Sequence, residues 1–320
     1  MEITVVITTY KRSEIVKRAI KSVVNQTYTP NEIIVIEDAS DSGTDHWLQA
    51  NYPGIKYHKT EKNLGLAGSR NKGIELSNGD WIAFLDDDDE WLPNRLKEQV
   101  NCFNNLRKEE KKNLACMQVG TVILNKSGEK INSQMPMNEG NIRESIKKYG
   151  ASTPSSSFLI NKAALKNVGG FDEYLISGID HDILMELAIA DYETRAVQKP
   201  LVKIYQEDVD TMMTDTRKRI KGLKQYTSKW ENTFREWYGD KSGEHYARKY
   251  FIRVISPLAA INLVNRNWEE AGITFKELLG HVKYNPFLFL FMFYSFLKKY
   301  VFITNPEVRK RIKAVRKYLS

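Results

Sequence analysis

The chain has 320 residues, 42% of them hydrophobic, and its formal net charge is +8 with a pI near 9.1. This length supports one sizeable core and a second unit. Two cysteines provide no disulfide framework and Met1–Tyr10 lacks the pattern of a signal peptide, so we expect a reducing cytosol. The positive charge is compatible with nucleic acid, anionic lipid or a phosphorylated substrate, so its position along the chain matters more than its sum.

The first third of the chain alternates predicted strands and helices. Strands are predicted from β-branched apolar runs, and helices from apolar residues three and four apart. The predicted strands are Glu2–Tyr10, Glu32–Asp38, Gly54–Lys59 and Trp81–Leu85, and the predicted helices are Ser13–Val24, Leu66–Leu76 and one beginning at Pro93. This alternation predicts an α/β fold with a doubly wound, mostly parallel sheet and flanking helices, in which ligands bind beyond the carboxyl ends of the strands.

Four aspartates, Asp86–Asp89, follow the last of these predicted strands directly. Two carboxylates about 5 Å apart repel by roughly 3 kcal/mol at an effective dielectric near 20, so a compensating positive charge must lie beside them. Acids near the start of a helix are mildly favourable, which accounts for one or two of the four. A hard divalent cation, Mg2+ or Mn2+, that also binds substrate phosphates explains the run better, and no cluster of His or Cys offers a softer site.

Polar residues leave three predicted strands at equivalent points. They occupy Thr8–Arg12, Glu37–Asp41 and Asp86–Asp89. Because the carboxyl ends of parallel strands share one edge of a sheet, we expect a ligand site there.

The second half of the chain changes character. Strands are predicted at Met117–Leu124 and Ser156–Ile160 and a helix at Lys162–Asn167, but strand patterns stop near Met213. We therefore predict an α/β domain over residues 1–215 and a helical region over residues 216–320.

The helical region ends in two unusual segments. The apolar run Pro286–Leu297 is shorter than the ~20 residues that a spanning helix needs, so a buried or interfacial helix is predicted. Basic residues surround a helical stripe made of Val308, Ile312, Val315 and Leu319. Such amphipathic helices are typical of anionic membrane surfaces. The alternative is packing against the α/β domain or against a second subunit of a homo-oligomer.

Five segments together carry a family resemblance. They are ITTYKR (Ile7–Arg12), IVIEDASDSGTD (Ile34–Asp45), NLGLAGSRNKGI (Asn63–Ile74), GDWIAFLDDDDEWLP (Gly79–Pro93) and VGGFDE (Val168–Glu173). In this order the chain resembles family 2 nucleotide-sugar glycosyltransferases, which are inverting enzymes of the GT-A fold. The resemblance implies transfer of a sugar from a nucleotide sugar, with UDP as the expected nucleotide, to a glycan or lipid-linked acceptor in bacterial surface-polysaccharide synthesis.

The resemblance also implies roles for individual residues. The aspartate-x-aspartate motif of the family falls on Asp86–Asp88, with Asp86 near the donor ribose and Asp88 binding a Mn2+ or Mg2+ that bridges the diphosphate. Asp38 corresponds to the acid that accepts a hydrogen bond from the uracil ring. The other residues implied in nucleotide-sugar binding are Thr8, Tyr10, Arg12, Asn63, Arg70 and Asp87.

The chain departs from the family pattern at two places. Glu37 stands where an aspartate is common. Many relatives also carry a diphosphate-binding histidine after the last strand, and Tyr205–Arg219 has none. The substitutes that remain open are Thr211, Thr214, Arg217 and Lys218.

An inverting transfer needs a carboxylate that takes the proton of the acceptor hydroxyl. It must face the donor sugar from the side opposite the diphosphate, which excludes Asp86–Asp89. Related sequences place this base shortly after the Gly-Phe-Asp segment, which implies Asp180, with Asp182 as second choice. The competing explanation for Asp180 is a helix N-cap. Asp172 and Asp182 are expected on the acceptor side.

Three other classes of protein compete with this interpretation. A nucleic-acid-binding protein is not favoured, because the acid run would repel phosphates. A dinucleotide-dependent oxidoreductase is not favoured, because the first strand–helix turn lacks G-x-G-x-x-G. The alternative that remains is a catalytically inactive glycan- or nucleotide-sugar-binding protein of the same fold. For the enzyme, we expect a cytoplasmic location, peripheral on the inner face of the plasma membrane, with anionic lipid as a partner.

Overall fold

The structure is a computed structural model that describes residues 1–125, 127–151, 154–205, 215–283 and 285–305, the last without the side chains of 302–304. The chain divides into two compact units. The α/β unit comprises Met1–Tyr174 and Ile179–Glu207, and the helical unit comprises Leu175–Gly178 and Asp208–Ser320. The predicted division of roles between a catalytic and a C-terminal domain stays a prediction.

One sheet of ten strands organises the described part of the α/β unit. The strands are β1 (Ile3–Thr9), β2 (Glu32–Glu37), β3 (Lys56–Lys59), β4 (Trp81–Asp86), β5 (Asp89–Trp91), β6 (Leu114–Leu124), β7 (Lys130–Gln134), β8 (Gly140–Asn141), β9 (Leu159–Asn161) and β10 (Glu193–Tyr205). Their order is β3-β2-β1-β4-β9-β6-β10-β5, with β7 beside β6 and β8 beside β10. The sheet is parallel from β3 to β4 and mixed beyond β4.

The register of the parallel strands brings their polar ends together. Thr8 of β1 lies beside Asp86 of β4, and Thr9 lies beside Glu37 of β2. All seven residues of β1 are buried, as expected for a central strand covered on both faces. The predicted edge of polar strand ends is therefore confirmed as a structural feature.

Helices cover the sheet. They are α1 (Ser13–Val24), α2 (Thr44–Asn51), α3 (Gly65–Leu76), α4 (Arg95–Asn104), α5 (Lys108–Lys112), α6 (Ile142–Tyr149), α7 (Lys162–Asn167) and α8 (Ile179–Ile189). Helix α1 buries Val16, Ala19 and Ile20 because these residues share one face. Helix α3 approaches β1 at Gly73, where a Cβ atom would lie 2.3 Å from Cγ1 of Val6. Only glycine permits this close packing.

Most predicted elements are confirmed within two or three residues, and the bounds of α1 and α7 are as predicted. The predicted strand Ser156–Ile160 is wrong in its first half. Ser155–Ser157 form a 3-10 turn, and β9 begins only at Leu159. The three serines are fully buried and turn the chain toward the sheet edge that carries Asp86.

The described part of the helical unit contains five helices. They are α9 (Thr216–Lys229), α10 (Glu231–Tyr238), α11 (Asp240–Val264), α12 (Trp268–Val282) and α13 (Pro286–Thr304). Buried aromatic residues from α9, α10 and α11, among them Tyr226, Phe234 and Tyr250, pack together in the core of this unit. Within the described residues, no helix is both long and apolar enough to cross a bilayer. The predicted basic amphipathic helix around Val308–Leu319 lies outside the described residues, as do Thr211 and Thr214.

Candidate active site

The four aspartates occupy a strand, a turn and a second strand. Asp86 ends β4, Asp87 and Asp88 form the turn, and Asp89 begins β5. The turn follows the strand that pairs with β1, so the acids lie beside the residues that leave β1. Positive side chains from α1 and α3, and from the loop before α1, meet them there.

Arg12 neutralises the turn. Its Nη1 donates to Oδ1 of Asp87 at 3.1 Å and to Oδ2 of Asp88 at 3.2 Å. Thr9 donates from Oγ1 to Oδ2 of Asp87 at 2.8 Å, and Arg18 donates from Nη2 to the Asp88 carbonyl at 2.7 Å. Sequence reasoning did not find Thr9 or Arg18, because neither residue type signals a partner so distant in sequence.

The neutralisation is incomplete. Burial raises the pKa of Asp87. Burial and the charges of Asp86 and Asp87 raise the pKa of Asp88 to about 6, although Arg12 opposes this shift. Burial and the charges of Asp88 and Asp86 raise the pKa of Asp89 well above its usual value, although Ser156 donates a hydrogen bond to it. The turn therefore still favours an added positive charge at neutral pH.

Arg70 connects the acidic run to the predicted base. Its side chain is 1% exposed, and its Nη2 donates to Oδ1 of Asp86 at 2.7 Å and to the Ser155 hydroxyl. Its Nη1 donates to Oδ1 of Asp180 at 2.8 Å. Burial lowers the pKa of Arg70, but the two carboxylates outweigh it and the net shift is upward. The residue is thus a fixed positive charge between Asp86 and Asp180.

Asp180 lies in the first turn of α8, and its side chain is 28% exposed. Its Oδ2 accepts a hydrogen bond from the Ser155 amide at 3.0 Å. Burial alone would raise its pKa, but Arg70 and the Ser155 amide outweigh burial and hold the pKa below its usual value. The carboxylate is therefore charged at neutral pH, and each oxygen retains a lone pair for a further donor.

Asp38 and Glu37 shape the loops at the end of β2. Asp38 accepts from the Leu64 amide at 2.7 Å and from the Gly65 amide at 2.9 Å, where Gly65 has a positive φ of 72°. Glu37 accepts from Ser40 and Tyr57. Asp38 thus supports the loop that enters α3, whereas Glu37 holds the loop that follows β2 against Tyr57 of β3.

A pocket of about 540 Å3 opens beside this loop. Its lining includes Asn63 and Asp172, which the sequence placed on the donor and acceptor sides, and Tyr174, which is 89% exposed. Asn71 holds the facing loop by exchanging two hydrogen bonds of 2.8 Å with the Phe171 backbone. The pocket is therefore supported by backbone contacts rather than by side-chain packing alone.

The remaining predicted site residues occupy different environments. Thr8 is buried beside Asp86, Tyr10 is 43% exposed at the end of β1, and Asp182 is 1% exposed on α8. Direct contacts thus join Arg12, Asp87 and Asp88 on one side and Arg70, Asp86 and Asp180 on the other, whereas Asp38, Asn63 and Asp172 lie around the neighbouring loop.

A divalent cation fits the turn at Asp88. The Asp88 carboxylate is 31% exposed and lies beside two further aspartates, and carboxylate oxygen is a ligand of Mg2+ and Mn2+. Within the described residues, no three His, Cys, Asp or Glu side chains group into a self-sufficient metal site. A cation here would therefore share its coordination with ligand oxygens, such as those of a diphosphate.

The sequence matches one family model and is similar to known proteins. The family model "Glycosyl transferase family 2" matches residues 4–169. A putative colanic acid biosynthesis glycosyl transferase of Escherichia coli, WcaA, is 40% identical over 101 residues, which cover 29% of this chain and 35% of that protein. An uncharacterized glycosyltransferase of Methanocaldococcus jannaschii, MJ1057, is 28% identical over 240 residues, which cover 72% of this chain and 80% of that protein.

Solved structures share the fold. S. aureus TarS 1–349 in complex with UDP-GlcNAc has a TM-score of 0.59 and 16% identity, covering 94% of this chain and 89% of that one. The mannosyltransferase PcManGT from Pyrobaculum calidifontis, in complex with GDP-Man and Mn2+, has a TM-score of 0.56 and 13% identity, covering 93% and 86%. The predicted GT-A fold with a helical C-terminal region is therefore confirmed.

Proposed function

Because the chain belongs to glycosyltransferase family 2, we propose that it transfers a sugar from a nucleotide sugar to a hydroxyl group with inversion at C1. The observation that carries the proposal is the Arg70 bridge, which joins Asp86 at 2.7 Å to Asp180 at 2.8 Å. The bridge connects an acid proposed to contact the donor with the carboxylate proposed to act as base.

The donor occupies the shared edge of β1, β2 and β4. Tyr10 and Asp38 hold the base, for which uracil is the expected ring, and Thr8, Asn63 and the aspartates Asp86 and Asp87 line the rest of the site. Arg12 is 22% exposed beside the turn, close enough to the acids to reach a diphosphate that binds there. The UDP-GlcNAc bound by the TarS neighbour makes UDP the first nucleotide to test.

Asp88 holds a divalent cation, Mn2+ or Mg2+. When bound, this cation neutralises the charge that grows on the departing diphosphate. Asp87 keeps Arg12 in place beside the same oxygens through its 3.1 Å contact. The Mn2+ bound by the PcManGT neighbour supports testing this ion first.

Asp180 acts as the base. The acceptor hydroxyl attacks C1 of the sugar, its proton passes to Asp180, and the bond between C1 and the diphosphate oxygen breaks. Arg70 keeps Asp180 deprotonated before the reaction and orients it through Nη1. Asp172 and Asp182 belong to the acceptor side. No nucleic acid takes part.

The acceptor is a glycan or a lipid-linked glycan in bacterial surface-polysaccharide synthesis. This part of the proposal is supported by the name of WcaA, a putative colanic acid biosynthesis enzyme. A lipid-linked acceptor would place the protein in the cytoplasm, at the inner face of the plasma membrane. The alternative role of the C-terminal helices is to form the contact between subunits of a homo-oligomer.

A screen of UDP-, GDP- and dTDP-sugars by thermal unfolding, with and without Mn2+, tests the donor site. A donor at 100 times its Kd stabilises the fold by about 2.7 kcal/mol, which corresponds to a rise in Tm of roughly 5–10 °C. We expect one donor to produce this rise only with the cation, and Asp88→Ala to abolish the metal-dependent part.

Asp80→Ala is the matched control, because Asp80 is an exposed acid just before the opposite end of β4. It should keep the full shift. A lack of any metal-dependent shift, or an unchanged shift in Asp88→Ala, would refute the donor site. Release of the nucleoside diphosphate with water as acceptor then separates the enzyme from an inactive nucleotide-sugar-binding protein.

A further inference from the structure

Helix α13 exposes an apolar face that the described part of the helical unit leaves uncovered. Helix α13 packs against α11, and Leu288 and Met292 on its inner face are 2% and 7% exposed. Its outer face carries six large apolar side chains that are 41–77% exposed. They are Phe287, Phe289, Leu290, Phe293, Tyr294 and Leu297. We call these six residues the outer stripe.

The outer stripe is continuous. Phe287, Leu290, Tyr294 and Leu297 recur at intervals of three and four residues, so they form one row along the helix, and Phe289 and Phe293 form a second row beside it. A soluble monomer rarely exposes an apolar patch of this extent. A depression of about 420 Å3, lined in part by Val282, continues the apolar surface at the start of α13.

The charged residues that flank the outer stripe along the described chain have one sign. Lys283 precedes α13, and Lys298 and Lys299 follow the stripe along the helix. From Val282 to Ser320 the sequence contains nine Lys or Arg residues and a single acid, Glu307. An apolar stripe with basic residues at both ends matches the interface of an anionic bilayer, where an apolar helix face enters the acyl region and lysines meet phosphates.

The same charges oppose a second copy of this chain as the occupant. Two copies that paired through the outer stripe, in either orientation, would bring Lys298 and Lys299 near lysines of the other copy. Like charges at such a contact are unfavourable and select against it. Lys298 and Lys299 interrupt the apolar run of the 19-residue helix α13 directly after Leu297, so contact with the bilayer surface is the arrangement to test.

We propose that α13 lies in the plane of an anionic membrane surface, with the outer stripe inserted among the acyl chains and Lys298 and Lys299 at the headgroups. The proposal deepens the membrane location given above by assigning it to one helix face. It does not depend on the glycosyltransferase activity, because vesicle binding is measured without substrate.

Flotation of the full chain with phosphatidylcholine vesicles, with and without phosphatidylglycerol, tests the proposal. We expect binding to the phosphatidylglycerol vesicles that weakens as salt is added. The triple variant Phe287→Ser, Leu290→Ser, Tyr294→Ser should bind at least about tenfold more weakly, because it removes the apolar contact. Lys298→Gln and Lys299→Gln should weaken binding by roughly fivefold each.

Trp268→Ser is the matched control, because Trp268 is 67% exposed on the neighbouring helix α12. It should bind vesicles as the parent chain does. The triple variant should also keep the parent Tm and the donor-dependent Tm shift, which separates this proposal from the donor site. Unchanged vesicle binding by the triple variant refutes the proposal.

Two further outcomes also overturn it. One is a dimer in sedimentation that the triple variant dissociates while neither protein binds vesicles, which would make the outer stripe a contact between copies. The other is complete loss of binding in a chain that ends at Asn305 together with unchanged binding in the triple variant, which would assign membrane binding to the following residues alone.

Discussion

Arg70 and Arg12 neutralise two halves of the acidic run in different surroundings. Arg70 is 1% exposed between Asp86 and Asp180, whereas the Arg12 side chain is 22% exposed against Asp87 and Asp88. A buried ion pair that loses one partner leaves an uncompensated charge, but a partly exposed one is relieved by water or by an added ion. The Arg70 half is thus permanent structure, and the Arg12 half is open to exchange with a cation.

Removal of Arg70 should produce the largest effect. Arg70→Met leaves Asp86 and Asp180 without their shared partner, so the free energy of unfolding should fall by about 3–5 kcal/mol. Sugar transfer should be lost even at temperatures where the variant is folded, because the base is no longer oriented. Urea unfolding and a transfer assay measure the two effects.

Arg95→Met is the control for the loss of a buried arginine. Arg95 is 0% exposed, stacks on the Trp91 ring at 3.7 Å and donates to the Phe158 carbonyl at 2.7 Å. Burial lowers its pKa well below the usual value, so removal of its charge costs less than removal of the Arg70 charge. Equal stability losses in the two variants would contradict the distinction between a paired and an unpaired buried arginine.

Asp180→Asn should separate binding from chemistry. An amide cannot take the hydroxyl proton, so transfer should fall by roughly 10²- to 10⁴-fold, while the metal-dependent Tm shift with the donor persists. Asp182→Asn is the comparison, because Asp182 lies two residues further along α8 and is 1% exposed. Normal turnover in Asp180→Asn would remove this residue from the role, and loss of turnover only in Asp182→Asn would transfer the role to Asp182.

The parallel half of the fold was predictable because its strands are short buried runs with clear ends. β1 and β2 are rich in β-branched residues and β4 is an apolar run, and the ends of all three carry the polar residues of the site. Strand β10 was not predicted. Pro200 interrupts its pattern, and the structure accommodates the proline by shifts of register around it.

The sequence predicted which residues belong to the site but not which of their side chains contact each other. The acidic run required a positive charge, and the sequence suggested a metal; the structure adds Arg12 and Arg70, which arrive from the loop before α1 and from α3. The contribution of Ser155 had no signal, because a run of three serines reads as a loop and its burial depends on tertiary packing. The predicted roles of individual site residues remain predictions.

The Arg12 half of the acidic run, with Asp87 and Asp88, should show itself in the pH dependence of the free energy of unfolding. The pKa of Asp88 is raised by burial, Asp86 and Asp87 from 3.8 to about 6, so its favourable contribution is present below about pH 3.8 and is lost as pH rises through 6. Asp88→Asn should therefore be more stable than the parent at pH 7. The gain should be on the order of 1 kcal/mol, because the Asp88 side chain is 31% exposed and solvent screens its charge.

The gain in stability should vanish at pH 4, where Asp88 is protonated in the parent chain. At pH 7, Mn2+ should make the parent chain more stable than Asp88→Asn, and chelation of the metal by EDTA should make the variant the more stable protein again. Urea unfolding at pH 4 and pH 7 measures each difference. A variant less stable than the parent at pH 7 without metal would show that Asp88 is already fully compensated.

The smallest effect should come from removal of Arg12. Whether the variant binds Mn2+ more tightly or more weakly decides the role of this residue. If Arg12 and a cation compete for Asp88, then Arg12→Gln should bind Mn2+ about threefold more tightly without donor, a change suited to a partly exposed pair. If Arg12 also contacts the diphosphate, the same variant should bind the donor several-fold more weakly. Calorimetry at pH 8, well above the pKa of about 6 for Asp88 in the parent chain, measures both affinities. Lys17→Gln removes one charge from α1 at a residue paired with Glu14 and should change neither affinity. Weaker Mn2+ binding in Arg12→Gln would mean that Arg12 supports the cation site and does not compete with it. A cation would then not replace Arg12 beside Asp88.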